Sequence, residues 1–247
     1  YSLKPSDMRR MNQADLMLWV GDDLELFLQK PIARLDHAAL ALLDPAEAVH
    51  AEHGEEAQSP AIQHDDGHAE AEHHHAGDPH LWMAPEQVQM AAQKIVRSLS
   101  QRYPQRQDAL TAALQRFSQR LDETDRQIAA QLAPLQGQGF FVFHDAYASF
   151  TAHYGLKQLG YFTVDPARKP GARRLTTIRQ ALEARQARCV FVEPQFTAAV
   201  VHSIVDDLPV KVGTLDPMGS LVRVDNNGYF SFLQGLADQL SQCLAAG

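Results

Sequence analysis

No apolar run in these 247 residues is long enough to cross a membrane. A span needs about 18 apolar residues, and the longest candidate here is the short LMLWVG stretch at 16–21. The chain reads as a water-soluble protein. It opens at Tyr1 with no Met, basic n-region or apolar h-region, so any targeting peptide is expected to have been removed or never included. Cysteine is almost absent. Cys189 and Cys243 each sit among apolar residues, in neither a CxxC pair nor a metal-type spacing, which removes zinc-ribbon and redox-motif readings. Unpaired core cysteines and a disulfide both remain open on this evidence. A bridge would staple the C-terminal helix down, and closing a loop of that span would add about 4 kcal/mol by the chain-entropy argument. HExxH, GxSxG, a P-loop and a GxGxxG after a strand are all missing, leaving common hydrolase, kinase and dinucleotide-binding readings without support.

Positive charge is also absent where it would matter. Between positions 44 and 78 there are ten Asp and Glu and no Lys or Arg, so this segment alone outweighs the formal net charge of −8. The rest of the chain is close to neutral. With no basic patch, nucleic acid and anionic membrane are excluded as partners.

What is present is α/β grammar. With 45% apolar residues the chain can bury a core in each of two domains. PSDMRRMNQAD reads as a helix with Ser6 as its cap, LMLWVG as a buried strand and DLELFLQKPIARL as a further helix. Residues 44–79 then turn to His, Asp, Glu, Ala and Gly, a composition that cannot offset its ordering entropy, and are expected to form a long mobile loop. Order resumes at HLWMAPEQ. From Gln105 to about Leu132 runs an unbroken helical pattern with Leu110, Leu114, Phe117, Leu121 and Ile128 on one stripe, a candidate connecting spine about 42 Å long. Beyond the Gln136-Gly137 turn, FFVFHD, LKQLGYF, CVFVEP and VKVGTLD alternate with helical segments. Continuous apolar strands of this kind predict a parallel sheet covered on both faces, with functional residues at its carboxyl edge. The expected organisation is an N-terminal lobe at 1–104 carrying the loop 44–79, a spine helix at 105–133 and a C-terminal lobe at 138–247.

The chemistry-bearing residues are histidines. Eight of the twelve lie between His50 and His80, among the carboxylates, and imidazole with carboxylate is the donor set a borderline divalent ion such as zinc prefers. His64, His68, His73, His74 and His75 have no regular spacing, which predicts weak, exchangeable capture of metal rather than one rigid site. Two histidines are better placed as fixed ligands: His80, where the acidic loop re-enters folded chain at DPHLW, and His144, at the end of the FFVFHD strand. Asp216, in GTLDPMG, occupies another strand end and can supply an oxygen. Asp145 and Glu193 stand at strand ends as well, where each could ligate, orient a ligand or cap a helix. His37, His153 and His202 carry no assigned role.

Taken together, YSLKPSDMRRMNQADLMLWVG, the acidic His-rich loop followed by HLW, the long helix, FFVFHDAY, PGARRL, CVFVEPQF and GTLDPMG resemble the zinc-specific solute-binding proteins of bacterial ABC importers, the group usually called ZnuA. The resemblance runs nearly end to end. It implies two α/β lobes with mostly parallel sheets joined by a long rigid helix, and a periplasmic monomer that binds zinc between the lobes. The zinc would be handed to a membrane permease and, through it, to an ATPase. It further implies His80 and His144 as metal ligands, Asp216 as a possible third, and a Cys189–Cys243 disulfide. Manganese members carry Glu at the position matching His144. Family members also place a His ligand just before the segment matching YSLKPSD, so the first strand-helix units of the N-terminal lobe are expected to be missing from this chain and its zinc affinity to be reduced. Competing readings are a zinc-dependent hydrolase using the same ligands, and a manganese-binding or adhesin-like relative.

Overall fold

The computed structural model describes residues 2–37, 39–43, 78–164 and 170–245. The chain divides into two compact units, Tyr1–Leu81 and Trp82–Gly247. Predicted loop 44–79 lies outside the described residues except for its last two positions, as do His64, His68, His73, His74 and His75.

In the first unit, helix α1 (Pro5–Gln13) starts at a proline, whose missing N–H costs nothing at a helix start, and Asp7 reaches back to the Lys4 backbone N–H at 2.9 Å. The LMLWVG run yields strand β1 (Met17–Trp19), paired in parallel with β2 (Ala39–Ala41). The stretch predicted as one helix between them breaks into α2 (Asp22–Glu25), a 3-10 turn (Leu26–Leu28) and α3 (Gln29–Ile32). Pro31 supplies no N–H to continue a single i→i−4 ladder there.

The second unit is a four-stranded, all-parallel sheet of order β4-β3-β5-β6, formed by β3 (Phe140–His144), β4 (Gln158–Thr163), β5 (Cys189–Val192) and β6 (Lys211–Thr214). Strand alternation sorts its core into two faces. Phe140, Val142 and Phe191 point to one side, into a cluster with Leu121, Ile128, Leu132, Leu236 and Leu240 from the long helices. Phe141, Phe143 and Val190 point to the other, onto Ile178, Leu182, Val201 and Val205. These come from α7 (Ala172–Glu183) and α8 (Ala199–Val205), while the short α6 (Ala148–His153) follows β3. A central strand buried at every position, as β3 is, requires this double cover.

Helix α4 (Pro85–Arg102) is followed by a 3-10 turn at Pro104–Arg106 and then α5 (Gln107–Leu132). The turn absorbs the first two residues of the predicted spine. Both helices belong to the second unit, where α5 packs against α4 and against the C-terminal helix α9 (Gly228–Leu244). The predicted boundary at 104/105 therefore differs from the division at Leu81/Trp82 that the packing produces. Cys189 and Cys243 are bonded, tying β5 to α9 beneath the sheet. Gly213 in β6 makes that approach possible, since a Cβ there would meet the Phe191 ring at 2.7 Å and the Cys243 Cβ at 3.3 Å.

Candidate metal centre

Strand β3 ends on His144, which the pleat places on the same face as Phe140 and Val142 and leaves 8% exposed. Its Nδ1 lies 2.6 Å and 2.9 Å from the two carboxylate oxygens of Glu193, the residue that follows β5. The parallel pairing of β3 with β5 aligns these two strand ends. A carboxylate only accepts hydrogen bonds, so Nδ1 carries the proton and the lone pair of the neutral ring falls on Nε2. Glu193 is 3% exposed, and a buried carboxylate with one imidazole partner would be under-satisfied. The Tyr147 phenol stands close enough to feel its charge, while the hydroxyl donates to the Leu215 carbonyl at 3.4 Å. Burial pushes that phenol well above its ordinary range, with the charges of Glu193 and Asp216 acting in the same direction, so it stays protonated and remains a donor.

His80 shows the same arrangement built from local chain. Asp78 Oδ1 accepts from the His80 backbone N–H at 3.0 Å and bonds the ring Nδ1 at 2.7 Å, closing a turn that fixes the imidazole. Both side chains are largely covered. With Nδ1 held in this way, a metal bond would fall to Nε2. A histidine whose Nδ1–H is held by a carboxylate is the common form of a zinc-ligating imidazole, because the carboxylate fixes the tautomer and raises the basicity of the other nitrogen.

Asp216 is placed differently. Its Oδ1 accepts from Gln195 Nε2 at 2.6 Å, the Met218 backbone N–H at 3.1 Å and the Ser220 hydroxyl at 3.4 Å, and its Oδ2 from the Ser220 backbone N–H at 2.6 Å. Asp145 follows His144 directly, and its backbone N–H donates to Thr163. The other described histidines have structural partners. His153 bridges Asp125 at 2.7 Å and Glu86 at 3.2 Å, His202 sits 3.3 Å from Asp206 one helical turn on, and His37 bonds the Met11 carbonyl at 2.7 Å.

Thus His144, Glu193 and Asp216 gather at the carboxyl edge of one sheet, while His80 stands in the first unit with Asp78. Among the described residues no three His, Cys, Asp or Glu side chains converge as a ready metal cluster. Sequence reasoning missed Asp78 and Tyr147. Asp78 was visible only as the D-x-H spacing of an Asx turn, and Tyr147 lies within the FFVFHDAY motif with nothing in the pattern to mark its partner.

The family described as the periplasmic zinc-uptake complex component A matches residues 1–243. The high-affinity zinc uptake system protein ZnuA of Yersinia pestis is 40% identical over 255 residues, covering 99% of this chain and 80% of that protein. The protein of the same name from Haemophilus ducreyi is 38% identical, covering 99% and 82%. Among solved structures, one of ZnuA superposes with a TM-score of 0.75 at 22% identity, covering 99% of this chain and 85% of that one. The periplasmic zinc-binding protein TroA of Treponema pallidum gives 0.76 at 19% identity, covering 99% and 86%. At these identities the structural likenesses establish the fold.

Proposed function

Since this chain belongs to the periplasmic zinc-uptake complex component A family, we propose that it works as the high-affinity zinc-binding subunit of an ABC-type zinc importer. Zinc is its cargo. His80 and His144 are the principal ligands, each through Nε2, with Asp78 and Glu193 as the groups that orient them. The observation carrying this reading is the carboxylate on Nδ1 of both rings, at 2.7 Å and 2.6 Å. Two neutral imidazoles so prepared suit zinc on ligand preference and offer little to a hard, oxygen-seeking ion.

Asp216 is the candidate oxygen donor at the same sheet edge, but its carboxylate is taken up by Gln195, Met218 and Ser220, so in this reading imidazole dominates the site. The His-rich loop, with His64, His68, His73, His74 and His75, acts as a weak capture tract that raises the local metal supply. The loaded protein delivers zinc in the periplasm to a membrane permease. It performs no chemistry on the ion, and screening esters, amides and phosphoesters for metal-dependent turnover is expected to find none.

The direct test is calorimetric zinc titration of the full-length protein and of its His144→Ala and His80→Ala variants. Each variant is expected to lose tight binding by more than about 100-fold, since even groups behind a ligand are worth 10- to 100-fold. Undiminished affinity in either variant contradicts the assignment of that histidine.

A further inference from the structure

Two carboxylates stand at the sheet edge beside His144, and neither oxygen pair is presented bare. Both oxygens of Glu193 are taken up by the His144 ring. Asp216 is taken up by four donors from three residues, two of them backbone N–H groups that close the Asp216–Ser220 turn. A carboxylate has about four acceptor positions. Asp216 therefore has its full complement of partners without a metal.

The backbone donors come with the turn, but the Gln195 contact is of another kind. Gln195 lies on the β5–α8 connection, two residues beyond Glu193, and its amide reaches across to Asp216 Oδ1 at 2.6 Å and to the Ser220 hydroxyl at 2.8 Å. It is exposed, so burial does not dictate an amide at this position. Its bond is to a charged acceptor, the kind of hydrogen bond whose loss changes an equilibrium most.

We propose that Gln195 is a specificity-determining residue, which, with Ser220, holds the Asp216 carboxylate out of the metal's coordination and thereby keeps the centre imidazole-dominated and closed to manganese. This rests on the reading of His144 as a zinc ligand. Manganese binds through carboxylate, carbonyl and water oxygens, whereas zinc is content with imidazole nitrogen. Withholding the Asp216 oxygens costs zinc little and manganese much. Freed from Gln195, Asp216 gains an oxygen able to turn to the ion, and discrimination narrows.

The experiment measures zinc and manganese affinities by titration calorimetry on the full-length protein, on Gln195→Ala, on Gln195→Glu, and on Gln195→Ala combined with Asp216→Asn. Gln195→Ala is expected to raise manganese affinity about tenfold, the equivalent of one hydrogen bond to a charged group, with zinc affinity within about threefold of the parent. Gln195→Glu, which sets a like charge against Asp216, is expected to raise manganese affinity at least as much. The double variant is expected to return it to the parent value. A manganese gain below about fivefold in both single variants overturns the inference, as does a gain that survives Asp216→Asn. His144→Ala, measured alongside, separates the two failures: loss of tight zinc binding there, with no manganese gain in the Gln195 variants, removes the role of Gln195 and leaves the ligand reading intact. Retained zinc binding in His144→Ala removes the ligand reading itself.

Discussion

An imidazole becomes a good zinc ligand when something fixes which nitrogen holds the proton, and both candidate ligands here are fixed by a carboxylate. The two devices differ in origin. Asp78 acts on His80 through a local turn, two residues away, whereas Glu193 reaches His144 only because β3 and β5 are paired. Glu193→Gln keeps the side-chain shape but can present its amide to Nδ1 and so favour the wrong tautomer. That variant is expected to lower zinc affinity by 10- to 100-fold while leaving the thermal midpoint of the metal-free protein nearly unchanged. A loss of folding cooperativity with unchanged zinc affinity would assign Glu193 to stability alone. His144, Glu193 and Asp216 were legible in the sequence because each stands at or just past the carboxyl end of a strand. Their division of labour was not, since hydrogen bonds between loops leave no periodicity. The bond from Gln195 to Asp216 is the clearest case: nothing in VFVEPQF or GTLDPMG marks these two residues as partners.

Single elements were readable in proportion to their regularity. FFVFH and CVFV became fully or nearly buried parallel strands because no alternating polar face could have been exposed. The 26 residues of α5 follow their apolar stripe, with Leu121, Ile128 and Leu132 buried against the neighbouring helices. Its start, by contrast, was misplaced by two residues because Pro104 opens a 3-10 turn first. The segment 22–32 looked helical throughout by composition, yet Pro31 and the short spacing between β1 and β2 leave only broken turns. Pairing of Cys189 with Cys243 could not be decided from flanking residues, and came only with the resemblance. The bridge ties an element of the sheet to the last helix, closing 54 residues. Replacing both cysteines by alanine is expected to destabilise the second unit by about 4 kcal/mol. In a unit of this size that lowers the thermal midpoint by roughly 10 °C, read by circular dichroism under oxidising conditions. A shift under about 2 °C would mean that the bridge adds nothing the α9 packing does not already supply.

At the scale of the whole molecule, the two-unit organisation follows from where packing is dense. Helix α5 packs on both α4 and α9, and both α4 and α5 fall in the sheet-bearing second unit although pattern alone grouped α4 with the first. The candidate ligands His80 and His144 likewise stand in different units, and the His-rich tract lies outside the described residues. The His80–His144 reading requires one tight, imidazole-dominated zinc site, distinct from weak capture at the His-rich tract. Zinc titration by calorimetry, with manganese as competitor, on the full-length protein and on a variant lacking residues 50–75 tests it most directly. The expected result is one tight site that manganese does not displace, retained with its affinity in the deletion variant, together with several weak sites that the deletion removes. Loss of the tight site on deletion, or its occupation by manganese in preference to zinc, would contradict it.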